Sequence, residues 1–128
     1  MIYLIDSHVF LWMALDENKL SPAVCPLVLD RGTQLLLSVA GIWELAIKHN
    51  RGRLKFDGGF ENFITTEMHD NDVEMLPIGR EHLIEFEKLT PLHGDPFDRM
   101  IVAQAIHERI PLISKDAQMR QYPIDVIW

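Results

Sequence analysis

Short apolar runs alternate along this chain with longer segments whose apolar positions recur every three to four residues. The first run, Ile2 to Ile5, stops at Asp6 and reads as a buried strand that delivers a carboxylate at its C-terminal end. Asp6 or Ser7 can cap the helix that follows, which carries Val9, Phe10, Leu11, Trp12 and Leu15. Ser21-Pro22 places Ser at the N-cap and Pro at the first turn of a helix running to about Asp30, where Gly32 stops it. Gln34 to Leu37 is a second short strand. Ser38 then caps a helix from Val39 to Asn50, with Val39, Ile42, Trp43, Ala46 and Ile47 on its apolar positions. Glu44, Lys48 and Arg51 fall on one polar stripe of that helix.

The second half repeats the alternation. Phe60, Phe63, Ile64 and Met68 predict a helix after Gly58-Gly59, and Val73 to Pro77 a third strand. Arg80 to Leu89 reads as helical, and Asp95-Pro96 opens a strongly apolar helix to about Arg109. Ile110 to Ser114 is a fourth strand, followed by Lys115-Asp116, a short helix over Ala117 to Gln121, and a last strand from Ile124 to Trp128. Strands of this kind, apolar on both sides and separated by helices, predict an α/β fold whose mainly parallel sheet is covered on both faces. No linker or repeat interrupts the pattern, so residues 1–128 are expected to form a single domain.

Composition changes this picture little. With 128 residues, 48% of them hydrophobic, the chain can bury a core without staples. Cys25 is alone, so no internal disulfide forms, and its apolar surroundings suit a small core residue. No apolar run reaches the length of a membrane span, and the N-terminus lacks the basic start of a signal peptide, so a cytoplasmic protein without membrane attachment is expected. The net charge of −7 disfavours broad phosphate neutralisation but not an enzyme that meets phosphates through bound metal ions; it also suits a basic protein partner.

In parallel sheets, sites lie beyond the C-terminal ends of the strands. Asp6 ends the first strand, Asp116 follows the fourth, Glu44 lies about two turns into the helix after the second, and Asp98 stands in the first turn of the helix leading into the fourth. Acids gathered without cations repel one another, and a hard divalent ion removes the conflict. Two such ions can activate a water and steady the leaving oxygen of a phosphodiester. Each acid also has a plain structural role open to it. Asp6 and Asp116 can cap the helices after them, Glu44 can pair with Lys48, and Asp98 can form half of a capping box begun by Asp95. Six histidines show no zinc-ligand spacing, and there is no nucleophile elbow, dinucleotide fingerprint or Walker A motif. Lys48, Arg51, Arg53 and Lys55 form a basic cluster that is either a solvated helix end or a track for a phosphate backbone. Trp12 and Trp43 are expected in the core or at an interface rather than as base-stacking platforms.

The spaced set Ile5-Asp6-Ser7-His8-Val9-Phe10-Leu11-Trp12, Leu37-Ser38-Val39-Ala40-Gly41-Ile42-Trp43-Glu44, His93-Gly94-Asp95-Pro96-Phe97-Asp98-Arg99-Met100-Ile101-Val102-Ala103-Gln104-Ala105 and Leu112-Ile113-Ser114-Lys115-Asp116 resembles a PIN domain. It is most similar to the VapC-like toxin ribonucleases of type II toxin–antitoxin systems, and the closing Tyr122 to Trp128 matches as well. The resemblance implies a three-layer α/β/α sandwich and Mg²⁺- or Mn²⁺-dependent endonucleolytic cleavage of RNA. It assigns Asp6, Glu44, Asp98 and Asp116 as catalytic and metal-ligating, with Asp6 and Asp98 the principal ligands. Glu44 and Asp116 would complete the site or hold its water shell. Ser114 would orient Asp116 or touch a phosphate; on the backbone-track reading of the basic cluster, and not from the resemblance, Lys48 and Arg51 would contact substrate. Gly41 departs from relatives, which often carry Ser there, and Asp95 remains a cap. The resemblance also implies a homodimer and a cognate basic antitoxin, with DNA met only through that antitoxin. Two other functions are open to the residues: a phosphoryl-accepting receiver or phosphatase-like protein using Asp6, and a PIN-like interaction module without catalysis.

Overall fold

The structure is a computed structural model that describes residues 1–92 and 94–128; the His93 of the sequence pattern lies outside the described residues. A five-stranded parallel sheet runs through it in the order β3-β2-β1-β4-β5. The strands are β1 (Ile2–Ile5), β2 (Gln34–Ser38), β3 (Val73–Leu76), β4 (Leu112–Ile113) and β5 (Val126–Ile127). Between them lie α1 (Ser7–Leu15), α2 (Cys25–Leu29), α3 (Val39–Asn50), α4 (Gly59–Asp70), α5 (Arg80–Lys88) and α6 (Pro96–Glu108).

The two-residue period of the strands sorts their side chains into two cores. Tyr3, Ile5, Leu35, Leu37 and Ile113 pack with Val9 and Phe10 of α1, Val28 of α2 and Phe63 of α4. Leu4, Leu112 and the partly buried Leu36 point the other way and pack with Met100, Ile101, Val102 and Ala105 of α6. Helices therefore cover both faces, giving the expected three-layer α/β/α sandwich. α3 touches both layers, meeting α1 on one side and α6 on the other. Among the described residues no helix is long and apolar enough to cross a membrane.

The chain builds outward from β1 through β2 to β3, then returns to place β4 on the other side of β1. The direction of winding thus reverses at β1, and a crevice opens at its C-terminal end. β1 registers with β2 at Leu4↔Leu36 and with β4 at Ile5↔Ile113, so both neighbouring strands end level with Asp6. This order differs from the 2-1-3-4-5 arrangement of receiver-type sheets, which removes the receiver form of the phosphoryl-acceptor reading.

Three expected elements differ in extent. The helix expected from Ser21 to Asp30 is a turn followed by the five-residue α2. Ser21 Oγ does accept the Val24 N–H at 3.2 Å, but Pro26 lacks a donor and restricts Cys25 before it, so a long helix cannot propagate. The fourth strand is only Leu112–Ile113, because Arg109 closes α6 in the left-handed conformation (φ 56°) and Pro111 has no N–H. The last strand shortens to Val126–Ile127 after Pro123. Cys25 is half-buried against the first core.

Candidate metal centre

Each expected acid is delivered by a local feature of the chain. Asp6 leaves β1 in extended backbone (φ −67°, ψ 153°) and caps α1, its Oδ1 accepting the His8 N–H at 3.1 Å. Its other oxygen, Oδ2, accepts the Ser114 hydroxyl at 2.8 Å. Ser114 Oγ in turn accepts the Asp116 N–H at 3.1 Å. Ser114 is 1% exposed and its hydroxyl is committed to these two acids, so the orienting role is the one its geometry supports. Asp116 caps the 3-10 turn Ala117–Gln121 by accepting the Gln118 N–H at 2.9 Å. Capping does not remove these acids from the crevice: Asp6 and Asp116 both cap the segments after them and line one cavity.

Glu44 comes from the far side. It is buried on α3, where Oε1 accepts the Ser7 hydroxyl at 2.7 Å and Oε2 lies 3.8 Å from Lys48 Nζ. Asp98 stands in the first turn of α6, whose cap is Asp95; Asp95 Oδ1 accepts the N–H groups of Phe97 at 2.9 Å and Asp98 at 3.4 Å. A cavity of about 390 Å³ is lined by Asp6, Glu44, Asp98 and Asp116 together with Asp95 and His8. Trp12 and Lys115 complete its wall. Ligand oxygens of Glu44, Asp95 and Asp98 lie within 4.8 Å of one another. Larger cavities exist, such as one of about 530 Å³ beside Arg109 and Tyr122 at the opposite ends of β4 and β5, but no set of acids converges there.

Electrostatics follow from this crowding. Burial, then the charges of Asp6, Asp95, Glu44 and Asp116, push the Asp98 carboxyl up to about 8. Asp6 goes the other way. Burial raises it, but hydrogen bonds from the His8 side chain, the Ser114 hydroxyl and the His8 backbone together hold it below its ordinary value. His8 Nδ1 lies 3.5 Å from Asp6 Oδ1, and that contact raises the histidine's pKa against the opposing effects of burial and Lys48. The donor set is all oxygen, and its oxygens repel one another until a proton or a cation intervenes. Such a set fits Mg²⁺ or Mn²⁺ and not a soft metal.

Three residues here were not singled out by sequence reasoning. The sequence offers Ser7 only as a possible cap and His8 only as part of the family pattern, yet one ties Glu44 to α1 and the other helps hold Asp6 below its ordinary value. Asp95 was read as a cap alone, although its i, i+3 spacing from Asp98 puts both on one side of α6. Trp43, expected in the core or at an interface, is 58% exposed, with its ring perpendicular (89°) to Phe97 at 5.0 Å. Trp12 lies half-buried between Trp128 and the cavity, its ring 5.7 Å from Lys115 Nζ.

A second cluster, His82, His107 and Glu108, gathers between α5 and α6. His82 Nδ1 accepts the Gly79 N–H at 2.9 Å, which leaves the ring proton on Nε2, facing Glu108 Oε1 at 3.4 Å. A protonated Nε2 donates rather than ligates, so this cluster ties the two helices together.

The family model for the PIN domain matches residues 3–125, and the chain belongs to that family. Solved structures give the same fold. The Rickettsia felis VapBC2 structure, bound to a DNA fragment from its promoter, is matched at TM-score 0.73 and 14% identity over 99% of this chain and 98% of that one. VapBC-1 of nontypeable Haemophilus influenzae is matched at TM-score 0.64 and 18% identity, covering 99% and 97%. FitAcB of Neisseria gonorrhoeae is matched at 0.66 and 16%, covering 100% and 97%. Comparison with curated proteins finds no significant match.

Proposed function

We propose that this PIN domain is a metal-dependent endoribonuclease and the toxin of a type II toxin–antitoxin pair, acting in the cytoplasm. The observation that carries the reading is the convergence of Asp6, Glu44, Asp98 and Asp116 on one cavity from four separate segments, with Asp98 pushed up to about 8 by the others. These four, joined by Asp95, would hold Mg²⁺ or Mn²⁺. When bound, the ion would supply an activated water and compensation for the charge that builds on a phosphodiester under attack.

The chain's own residues prepare that chemistry. Ser114 and His8 keep Asp6 ionised and aimed into the cavity. Ser7 and Lys48 fix the two oxygens of Glu44. Asp98, pushed up to about 8, favours its protonated form at neutral pH among the other acids, and would give that proton up to a bound cation. Lys48 and Arg51, on the rim beside Glu44, would meet the flanking phosphates.

The toxin assignment rests on the likeness to VapBC and FitAB structures, which are toxin–antitoxin assemblies. A cognate antitoxin with a basic segment suits a chain of net charge −7 and an acidic cavity, and such a segment could place a cation among the acids. The protein is expected to dimerise and to reach operator DNA only through that antitoxin. The test is cleavage of RNA by purified protein with Mg²⁺ or Mn²⁺. Activity should vanish in chelator and in folded Asp6→Ala and Asp98→Ala variants. Full activity in chelator, or in both variants, overturns the metal mechanism, and no cleavage under any divalent ion favours the interaction module.

A further inference from the structure

We propose that Trp43 and the arginines Arg51 and Arg53 form a nucleotide subsite beside the acid cavity, with an unpaired base stacking on the indole and the adjoining backbone phosphates held by the two guanidinium groups. The inference deepens the nuclease reading above and rests on it for the identity of the ligand.

A groove of about 230 Å³ runs along the C-terminal half of α3, walled on one side by Ile47, Lys48, Arg51 and Arg53 and on the other by Pro96 and Phe97. Glu44 and Asp95 line both this groove and the acid cavity, so the two spaces are continuous. A chain threaded through the cavity therefore leaves along this groove. Three cations, Lys48, Arg51 and Arg53, and two carboxylates line it, so the groove leans positive in a chain of net charge −7. Lys48 is engaged with Glu44, whereas Arg51 and Arg53 are exposed and make no ion pair among the described residues. Cations so placed repel a basic peptide and attract a phosphate backbone.

The aromatic observation is independent of the charge. Trp43 is 58% exposed in a protein with two well-filled cores, and its one described ring neighbour is Phe97, which itself lines the groove. That perpendicular contact fixes the indole at the groove's edge while leaving much of its surface open. An exposed, braced aromatic ring beside a cationic track is the arrangement that binds single-stranded nucleic acid with little sequence preference. It also selects against duplex, whose bases are already stacked and cannot reach the ring.

The test is binding of a labelled single-stranded octa-uridylate, followed by fluorescence anisotropy in chelator so that no cleavage intervenes. Trp43→Ala should weaken binding about 10-fold with an unchanged salt dependence, and Trp43→Phe should keep most of the affinity. The double variant Arg51→Gln/Arg53→Gln should weaken binding and lower the slope of log affinity against log salt by about 1.4. Variants that bind like the wild type overturn the subsite, as does failure of the wild type to bind. A Trp43→Ala protein that loses a dimer in sedimentation but keeps its affinity makes Trp43 an interface residue and also overturns it. Unchanged binding by the variants alongside metal-dependent RNA cleavage would sink the subsite and spare the nuclease. Variant-sensitive binding with no cleavage under any divalent ion would do the reverse.

Discussion

Ser114 Oγ donates to Asp6 Oδ2 at 2.8 Å across 108 positions of sequence, joining the end of β4 to the end of β1. The same hydroxyl accepts the Asp116 N–H, so one buried side chain sets two of the four acids. Ser114→Ala should cost about 1–3 kcal/mol in denaturant unfolding, since it strands a buried charged acceptor. If Ser114 acts by orienting Asp6, cleavage should fall about 10- to 100-fold and the Mn²⁺ concentration for half-activity should rise. A higher KM for RNA with an unchanged metal requirement would instead point to direct phosphate contact.

The elevated Asp98 carboxyl makes the metal-free protein sensitive to pH. Its folded value of about 8 lies above the ordinary 3.8, so between these values the native state binds more protons than the unfolded one. Stability without metal should therefore decline as pH rises from about 4 to 8. His8, also raised, contributes in the same direction above about 6.5. Asp6, lowered, matters only below about 4, where its contribution is lost as pH falls. Asp98→Asn isolates the effect: at pH 8 in chelator it should melt higher than wild type, with a flatter pH profile, while losing cleavage. A lower melting temperature at that pH would contradict the electrostatic account.

Cation binding must displace the Asp98 proton. Calorimetric titration of Mn²⁺ at pH 7, repeated in buffers of different ionisation enthalpy, should report release of close to one proton per site, falling toward none near pH 9. Release that does not vary with pH would mean that Asp98 is not among the ligands.

Ser7 Oγ donates to Glu44 Oε1 at 2.7 Å and links α1 to α3. A double-mutant cycle on Ser7→Ala and Glu44→Gln should give a coupling of about 0.5–3 kcal/mol in unfolding. The Ser7→Ala protein should also need more metal for half-activity. Additive effects would show that the two residues act separately.

Most of the fold was legible because its signals are local. Strand alternation, Ser38 and Asp95 as caps, and the acids at the strand ends all follow from near neighbours. Much of what escaped depended on contacts between distant segments. Pro26 shortens α2 against a pattern that looks helical. Ser7 gained its role only when α3 closed against α1, whereas the His8 contact with Asp6 is local and shows only once the side-chain rotamers are fixed. Trp43 fits the apolar period of α3, and only the tertiary fold reveals that Phe97 of α6 meets its ring while most of the side chain stays exposed. Asp95 looked like a cap and is one, but a capping carboxylate retains an oxygen, and Glu44 and Asp98 lie within reach of it.

Carboxylates from four segments of this chain are proposed to share a hard cation, and anomalous scattering from crystals grown with Mn²⁺ locates such an ion. A peak is expected inside the cavity, within coordination distance of Asp6 and Asp98 oxygens and absent from Asp98→Asn crystals. A fully ordered cavity with no peak at millimolar Mn²⁺, or a peak only among His82, His107 and Glu108, would contradict it.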